Sequence, residues 1–504
     1  MAGGSRHGGV PAGLDRRDSD FRLRGFSLRG MSGAVQPHGS SAALDYRPTS
    51  AWDEGFHADG TPRAHYSALL DELAATDLPA LRDAVASEMR DVAFGENEHT
   101  TPFRLDPVPR LIEADEWDLL ARGLAQRVRA LGAFLADAYG DRAMVTAGRI
   151  PERVIESADR FEPSMRGALA PMTGCVAGLD LVRGCDGILQ VLEDNMRTPS
   201  GIAYMAAGRA ALDSRLPWSP PAGRGDPDEA FDMLGAALRA SAPDGGGDPS
   251  IALLSDGPGN SAWWEHRVIA GRLGVPIVSP SDLLVRGGRL YARVDDDGAR
   301  ELQVVYRRTD EDRLHDEKGE ATWLGEALMG PCGEGALSVV NPLGAGLADD
   351  KLVHAYVEEM VRFYLGEEPL VPSVLTFDLG DEEVLKEVLP RLGELVVKPR
   401  TGHGGAGVVV CPHATGEDRE AVARRVQAEP DAWVAQEMVM LSTHPTLCEG
   451  RLEPRHVDLR PYVIGADDAA AAVPGALTRV AFGAGALVVN SSRDGGGKDT
   501  WVLS

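Results

Sequence analysis

One glycine-rich segment constrains the fold of this chain more than any other part of the sequence. It reads Leu395-Val-Val-Lys-Pro-Arg-Thr-Gly-His-Gly-Gly-Ala-Gly-Val-Val-Val410, an apolar run that ends on a lysine, four glycines and a second β-branched run. Gly402, Gly404 and Gly407 satisfy the pattern G-x-G-x-x-G, which opens a helix in a dinucleotide-binding fold. Here β-branched residues follow from Val408 onward, so the pattern predicts a returning strand instead of a helix.

The lysine before these glycines indicates what the hairpin covers. Pro399 holds Lys398 in the extended region, at the end of the first strand. A lysine at such a place points its ammonium toward whatever the glycine loop covers, as phosphate-binding lysines do. The alternative is an exposed lysine, with glycines that serve only the turn. Four glycines in six residues exceed what a hairpin needs, so the segment favours a nucleoside triphosphate site.

A second segment carries candidate metal ligands. It reads Leu192-Glu-Asp-Asn-Met-Arg-Thr-Pro-Ser-Gly201 and ends a predicted strand. Side chains alternate along a strand, so Glu193 and Asn195 share a face and Asp194 points away. Asp180, on the strand predicted to pair with it, approaches the same face. Two carboxylates and an amide oxygen suit Mg²⁺ bound to phosphate oxygens; the alternative is a solvated hairpin end before a Thr-Pro-Ser-Gly turn.

The C-terminal third adds charged candidates. In His456-Val-Asp-Leu-Arg-Pro-Tyr462, alternation places Asp458 and Arg460 on one strand face. The later run Asn490-Ser-Ser-Arg-Asp-Gly-Gly-Gly-Lys-Asp-Thr-Trp501 is a second glycine-rich loop that ends in Lys498, and it is a candidate anion cradle. It lacks the Gly-Lys-Ser/Thr of a P-loop, and the alternative is a flexible tail loop.

One further strand end is a candidate for contacts to a nucleoside. Gln436 and Glu437 close the predicted strand that begins at Trp433. A glutamate there could accept a hydrogen bond from a ribose hydroxyl, and the adjacent backbone could contact the edge of an adenine. The alternative is a solvated glutamate, which is common at strand ends.

Composition limits the classes of partner. The 504 residues carry a net charge of −26, which argues against nucleic acid, because phosphate backbones are bound through clustered Lys and Arg. The five cysteines form no CxxC pair, which is typical of a reducing compartment. No apolar run approaches the length of a membrane span, and the first 45 residues lack the apolar core of a signal peptide. We therefore expect a cytoplasmic protein that does not bind membranes; Met31 is a second candidate start.

Periodicity and composition divide the chain into six regions. A helical N-terminal part precedes a hairpin around Gly184-Cys-Asp-Gly187, and strands alternate with helices from Ile251 onward, which predicts a small parallel sheet. Asp349 and Asp350 can cap a helix that runs to about Tyr364. The expected regions are a disordered tail 1–48, a mainly helical region 49–160, a segment 161–216 with the candidate metal ligands, a surface linker 217–249, an α/β domain 250–345 and a segment 346–504 with the candidate nucleotide contacts.

Together these motifs resemble the circularly permuted type 2 ATP-grasp family, related in fold to glutathionylspermidine synthetase. The resemblance covers nearly everything from Trp52 to Leu503. In other ATP-grasp enzymes the Glu-x-Asn metal motif follows the lysine and its glycine loop, whereas here it precedes Lys398 by about two hundred residues. The phrases that carry the resemblance are Val191–Gly201, Ala348-Asp-Asp-Lys351, Val396-Val-Lys-Pro399, His456–Pro461 and Asn490–Trp501. The resemblance implies an α+β to α/β fold: a permuted ATP-grasp core, a small pre-ATP-grasp-like α/β domain and a helical N-terminal region.

The resemblance also implies roles for individual residues, with ATP and Mg²⁺ as cofactors. Lys351 and Lys398 are similar to the two nucleotide-contacting lysines. Arg460 and Arg479 would steady the transferring phosphoryl group, and Lys498 is the third catalytic candidate. The remaining implied positions are the phosphate loop Gly402, Gly404, Gly405 and Gly407, the nucleoside contacts Gln436 and Glu437, the metal ligands Asp180, Glu193 and Asn195, and the substrate-side residues Asn260, Glu265, His266, Arg307 and Arg308. His403, inside the loop, is bulkier than the family pattern.

The chemistry implied by the resemblance is carboxylate–amine ligation through an acyl phosphate, with small-molecule or peptide carboxylates and amines as substrates. Transglutaminase-like or helical partner proteins are conceivable by resemblance alone. Two alternatives stay open at this point. One is a nucleotide-binding scaffold without ligase chemistry, and the other is a kinase that releases a phosphorylated product.

Overall fold

A computed structural model describes residues 44–95, 99–167, 174–243, 247–295, 298–402, 406–465, 469–486 and 495–504. The strands in these ranges are β1 Ala93–Phe94, β2 Thr101–Pro102, β3 Leu105–Ile112, β4 Val176–Arg183, β5 Leu189–Asn195, β6 Ile251–Leu254, β7 Ile277–Val278, β8 Leu283–Arg286, β9 Arg289–Asp295, β10 Gly298–Leu302, β11 Val304–Arg307, β12 Ser338–Val340, β13 Thr376–Asp378, β14 Leu395–Pro399, β15 Val409–Val410, β16 Trp433–Glu437, β17 Thr443–Cys448, β18 Arg451–Ile464, β19 Ala471–Ala481 and β20 Gly495–Val502.

The α-helices in the same ranges are α1 Ser67–Ala74, α2 Leu78–Glu88, α3 Ala114–Tyr139, α4 Ala143–Thr146, α5 Glu152–Glu156, α6 Ile202–Asp213, α7 Glu229–Ala240, α8 Trp263–Leu273, α9 Trp323–Gly333, α10 Lys351–His354, α11 Val357–Met360, α12 Glu382–Val388 and α13 Gly416–Ala428. Among the described residues, none of these helices combines the length and apolarity that crossing a membrane requires.

The central sheet joins strands from distant parts of the sequence. Its order is β3-β20-β19-β18-β4-β5, with β17 paired to β18. The pairs are antiparallel except for β20 and β3, which run parallel. The predicted hairpin is therefore present as β4 and β5. Because β4 pairs with β18, residues 176–181 lie beside residues 459–464.

Apolar clusters cover both faces of the central sheet. On β4, Leu179 and Leu181 belong to one cluster together with α3, whereas Val176 belongs to a second cluster with α1, α2, α6 and α7. Strand alternation explains this division. Helix α3 begins with Asp115 and Glu116 in its first turn, where carboxylates favour a helix start. Its apolar residues recur at three- and four-residue spacing and face the sheet.

The glycine-rich segment belongs to a separate antiparallel sheet of order β13-β16-β14-β15. Val396 and Val397 of β14 pair with Val410 and Val409 of β15, so the chain returns as a strand after the glycines, as predicted. This sheet has its own apolar cluster, which includes residues of α12 and α13. Most of this sheet therefore packs around a core of its own, whereas Val434 of β16 belongs to the first cluster.

The predicted parallel sheet is present as β12-β11-β6-β7. The region 49–160 contains helices α1 to α5, and it also contributes strand β3 to an edge of the central sheet. One expectation about a neighbouring region needs correction. The region 217–249 is not a linker throughout, because α7 buries Phe231, Leu234 and Leu238 in the second cluster. Of the predicted disordered tail 1–48, residues 1–43 lie outside the described ranges.

Candidate active site

A cleft of about 430 Å³ lies between the central sheet and the glycine-rich sheet. On one side it is lined by β4, β5, β18 and β19, and on the other by β14, β16 and the start of α10. The lining brings together most of the residues singled out in the sequence: Asp180, Glu193, Asn195, Lys351, Lys398, Gly402, Gln436, Glu437, Asp458, Arg460 and Arg479. Residues almost three hundred positions apart in the chain thus face one cavity.

The wall of the cleft on the central sheet is a row of alternating charges. Arg460 on β18 donates to Asp180 on β4 through Nε and Nη2, at 2.6 and 2.8 Å. Arg479 on β19 approaches the same carboxylate at 2.9 Å and also donates to Asp458 through Nε, at 2.9 Å. These contacts follow from the register, in which Asp458 lies opposite Arg479. Two carboxylates therefore hold two guanidiniums at the surface of the cleft.

The pKa values of the two carboxylates in this row show how burial and the arginine charges oppose each other. Burial raises the pKa of Asp180, but the charges of Arg460 and Arg479 outweigh it and lower that pKa to about 2. Burial raises the pKa of Asp458, and the charge of Arg479 opposes this rise only in part. Asp180 is therefore a carboxylate at neutral pH, and it fixes the orientation of both arginines.

Glu193 and Asn195 of β5 provide oxygen ligands at the cleft, and Asp180 lies opposite Glu193 in the register. The amide nitrogen of Asn195 is buried, and among the described residues it has no hydrogen-bond partner. Rotation of that amide to present its oxygen would therefore break no bond of this nitrogen. The described residues hold no group of three or more His, Cys, Asp or Glu placed to bind a metal alone. The oxygens of Glu193 and Asn195 fit a Mg²⁺ ion that is shared with substrate phosphates. Asp180, the third predicted ligand, already contacts two arginines.

Asp194 points away from the cleft, as alternation predicts. Its carboxylate accepts from Arg127 of α3 through Nε and Nη2, at 2.6 and 2.7 Å, and lies 2.7 Å from Nδ1 of His354. His354 ends α10, the helix that begins at Lys351. The buried Asp194 therefore links the strand that carries Glu193 to the helix that carries Lys351.

The two predicted nucleotide lysines lie on the glycine-rich side of the cleft. Lys351 donates to the backbone oxygen of Gly402 at 2.7 Å, and its ammonium lies 3.8 Å from the carboxylate of Glu193. Burial lowers the pKa of Lys398, while the charge of Glu193 opposes that shift. Anionic phosphate oxygens in the cleft would restore the charged form of Lys398.

Of the glycines, Gly402 lines the cleft with a φ of +92° and Gly407 has a φ of +73°. Both values are in the left-handed region that favours glycine. Gly404, Gly405 and the neighbouring His403 lie outside the described residues. The two described glycines therefore support a turn at this place, and the phosphate contacts of the loop remain a prediction.

Gln436 and Glu437 reach the cleft, but their side chains also have partners within the protein. Gln436 donates to the hydroxyl of Thr376 at 2.9 Å and to the backbone oxygen of Leu192 at 3.3 Å. Glu437 accepts from Arg391 at 2.7 Å. The backbone that follows, Met438 and Val439, also lines the cleft. The side chains of Gln436 and Glu437 are therefore engaged within the protein, and their contacts to a nucleoside stay a prediction.

Lys498 is not among the residues that line the cleft. The predicted glycine-rich loop is, over Gly495–Val502, strand β20 of the central sheet; residues 490–494 lie outside the described part of the chain. Lys498 is 1% exposed, and its ammonium contacts Asp106 and lies 3.1 Å from the backbone oxygen of Pro445. The charge of Lys498 pairs with Asp106 between β20 and β3. The structure therefore does not place Lys498 with the predicted catalytic residues.

The residues implied on the substrate side are largely structural. Arg307 is fully buried and donates to Glu311 at 2.8 Å, and Arg308 donates to the hydroxyl of Ser200 at 2.7 Å. Glu265 accepts from the backbone nitrogen of Gly201 at 2.9 Å. Asn260 accepts from the backbone nitrogen of Ala262, and His266 contacts Ser255 at 2.8 Å. None of the five is among the residues that line the described cleft.

Sequence reasoning gave no role in the site to several charged residues of the cleft, among them Asp349 and Arg197. Asp349 accepts a hydrogen bond from the backbone nitrogen of Met196. Burial raises the pKa of Asp349 to about 7, although the charge of Arg197 opposes the shift. Both residues fall inside segments that carry the family resemblance. Their closeness in sequence to Lys351 and Asn195 was the signal that could have identified them as part of the site.

The model of the family described as circularly permuted ATP-grasp type 2 matches residues 109–481 of this chain. Among solved structures, the chain is similar to a glutathione synthetase-like effector (GSS30) from Globodera pallida in its apo form. The TM-score is 0.56 at 11% identity, covering 85% of this chain and 98% of that one. At this identity the likeness concerns the fold alone.

Several curated proteins are similar over most of this chain. A Frankia alni protein named "Putative glutamate--cysteine ligase 2-3" is 44% identical over 91% of this chain, which spans 54% of that protein. An uncharacterized Mycobacterium bovis protein is 40% identical, over 90% of this chain and 84% of its own length. An uncharacterized Synechocystis protein is 38% identical, over 91% of this chain and 98% of its own length. The chain thus spans about half the length of the first relative and most of the other two.

Proposed function

This chain belongs to the circularly permuted type 2 ATP-grasp family, and we propose that it is an ATP- and Mg²⁺-dependent ligase that joins a carboxylate to an amine. The observation that carries the proposal is the cleft itself. It gathers Glu193, Lys351, Lys398 and Arg460 around one cavity, although Glu193 and Lys398 are about two hundred residues apart in the sequence. Paired cations opposite hard oxygen ligands are the parts that phosphoryl transfer requires.

In the proposed first step, a carboxylate oxygen of the substrate attacks the γ-phosphorus of ATP, and the bond from that phosphorus to the bridging oxygen breaks to release ADP. Lys398 and Lys351 hold phosphate oxygens from the glycine-rich side. Arg460 and Arg479 offset the charge of the transferring phosphoryl group from the other side, already oriented by Asp180. Bound between Glu193 and Asn195, Mg²⁺ would add further charge neutralisation.

In the second step, an amine nitrogen attacks the acyl carbon, phosphate leaves with the electrons of the C–O bond, and the nitrogen loses a proton. An acyl phosphate hydrolyses if water reaches it, so the site has to hold the intermediate away from solvent. The two arginines lie on a sheet whose two faces carry apolar clusters, which gives this side of the cleft a fixed shape. Positioning then supplies most of the catalysis.

The proposal leaves the two substrates open, and the names of the relatives set the order in which candidates are tested. The Frankia relatives carry names that specify glutamate and cysteine, and those proteins are about twice as long as the aligned region. Glutamate with cysteine is therefore the first pair to test. Pools of other amino acids, peptides and polyamines come next.

The test is release of ADP and phosphate by the full chain with ATP, Mg²⁺ and these pools, with mass spectrometry of the products. We expect a pool to stimulate ADP release and an amide to form, and Glu193→Gln to remove the stimulation. Glu383→Gln is the matched control, because the side chain of Glu383 is 85% exposed on α12. A phosphorylated product without an amide would indicate a kinase. A Glu193→Gln protein as active as the wild type would refute the ligase proposal.

A further inference from the structure

A second pocket of about 230 Å³ opens from the phosphoryl end of the cleft. The two cavities share five residues: Asn195, Arg197, Asp349, Arg460 and Arg479. We infer that this pocket binds the carboxylic acid that is activated, and that the acid carries a short apolar or aromatic body and no second carboxylate. The inference rests on the proposed function and names the substrate class of the same site.

One wall of the pocket is apolar. Phe94, Phe103, Tyr204 and Leu477 line it. Tyr204 holds the aromatic group together, because its ring centroid lies 6.0 Å from that of Phe94 and 5.2 Å from that of Phe103. The hydroxyl of Tyr204 donates to the backbone oxygen of Ala93 at 2.9 Å, which turns the polar end of this residue away from a ligand. Such a wall favours an apolar body by removing its surface from water.

The cationic end lies where the two cavities meet. A guanidinium has five N–H donors, which is more than a single carboxylate can use. Arg460 uses Nε and Nη2 for Asp180, so part of its donor capacity remains for a substrate carboxylate. A carboxylate bound there lies at the boundary with the nucleotide cleft, so one of its oxygens can reach a terminal phosphoryl group. The body of the acid then extends toward the aromatic wall.

The floor of the pocket is the turn from Thr198 to Gly201, and buried side chains hold it in place. Arg308 donates to the backbone oxygen of Pro199 at 2.8 Å and to the hydroxyl of Ser200 at 2.7 Å. Tyr462 donates to the backbone oxygen of Ser200 at 2.9 Å, and Glu265 accepts from the nitrogen of Gly201. The turn is thus preorganised, which lowers the entropy lost when a ligand binds.

Charge and size limit the ligand. Arg197 is the third arginine of the pocket, but it donates to Asp310 at 2.6 Å and lies 3.9 Å from Asp349. Asp310 therefore already balances its charge, and a second substrate carboxylate gains little there. The volume is below the ~300–1,000 Å³ typical of pockets for drug-sized ligands. A single acid of amino-acid size fits the pocket better than a long peptide.

The test measures direct binding, which needs no turnover. The full chain, with Mg²⁺ and a non-hydrolysable ATP analogue, is titrated with 3-phenylpropionate, glutarate and phenethylamine, followed by saturation-transfer NMR and calorimetry. We expect 3-phenylpropionate to bind at least about tenfold more tightly than the other two probes. Ser261→Phe fills the pocket and should abolish that binding, whereas Ser281→Phe, at an exposed position away from both cavities, should not.

Phe103→Leu serves as a second variant, because it shrinks the aromatic wall without adding bulk, and it should weaken binding by about tenfold. Equal or tighter binding of glutarate, no binding by any probe, or full binding by both pocket variants would overturn the inference. The two proposals fail separately. A chain that binds 3-phenylpropionate but releases no ADP with any pool contradicts the ligase proposal, and one that ligates glutamate without binding 3-phenylpropionate contradicts the pocket assignment.

Discussion

Lys398 and Lys498 have the same side chain in opposite settings, so replacing each by methionine should separate nucleotide binding from stability. Lys498 is 1% exposed and its ammonium contacts Asp106, which is 2% exposed. Methionine is similar in length but leaves that carboxylate buried without its counter-charge. We expect Lys498→Met to lower the free energy of unfolding by about 3–5 kcal/mol, the usual cost of breaking a buried ion pair from one side.

Lys398 should behave in the opposite way. Within the described part of the chain, no carboxylate lies within salt-bridge distance of its ammonium, and burial lowers its pKa. The charged form is therefore disfavoured before nucleotide binds, and Lys398→Met should leave the free energy of unfolding unchanged or raise it. Loss of one hydrogen bond from a charged donor to phosphate costs about 1.5–3 kcal/mol, which is a roughly 10- to 150-fold weaker Kd for Mg-ATP.

Urea unfolding followed by tryptophan fluorescence and calorimetric titration of Mg-ATP measure the two quantities separately. Lys386→Met is the control for removing a lysine, because that side chain is 65% exposed. The double variant Asp106→Asn/Lys498→Met should recover part of the lost stability, since it no longer buries an unpaired carboxylate. The reasoning is refuted if Lys498→Met keeps its stability but weakens Mg-ATP binding as much as Lys398→Met.

Three further predictions concern the surroundings of the cleft. Asp194→Asn should lower the free energy of unfolding by about 3–5 kcal/mol in urea titration, because it leaves the buried Arg127 without its carboxylate. Burial raises the pKa of Asp349 to about 7. The stability that its protonated form contributes is therefore complete at acidic pH and is lost as the pH rises from about 4 to about 7. The free energy of unfolding should fall less steeply across this range for Asp349→Asn than for the wild type. Gly201 has a φ of +132° and a Cβ there would lie 1.7 Å from the hydroxyl of Tyr462, so Gly201→Ala should lower the melting temperature and reduce binding in the second pocket.

The parts of the cleft that depend on local pattern were predictable. Alternation along a strand sends Glu193 and Asn195 to one face and Asp194 to the other, and it places Asp458 beside Arg460. The valines after the glycines correctly indicated a strand. Each of these inferences needs only two or three neighbouring residues and the period of a strand, so nothing distant in the chain could reverse it.

Strand β3 was missed for a physical reason. Its sequence, Leu105-Asp-Pro-Val-Pro-Arg-Leu-Ile112, contains two prolines, which argue against a central strand because proline cannot donate to a ladder. The strand lies at the edge of the sheet, where β20 is its one neighbour in the sheet order of the described chain, so the prolines are tolerated. Lys498 was misplaced for the same reason, since its partner Asp106 lies on the strand that the pattern hides.

The arginine row shows why an inverted motif order still builds a site. Asp180 belongs to the segment before the substrate-side region, whereas Arg460 and Arg479 belong to the segment after it. Pairing of β4 with β18 places Arg460 one strand away from Asp180, and Arg479 reaches the same carboxylate from β19, the strand beyond β18. The carboxylate that orients both guanidiniums and the guanidiniums themselves thus come from segments roughly three hundred residues apart in the chain. Because strand adjacency and not chain order sets these contacts, a permutation that preserves the sheet order preserves the row, and neither segment contains it alone.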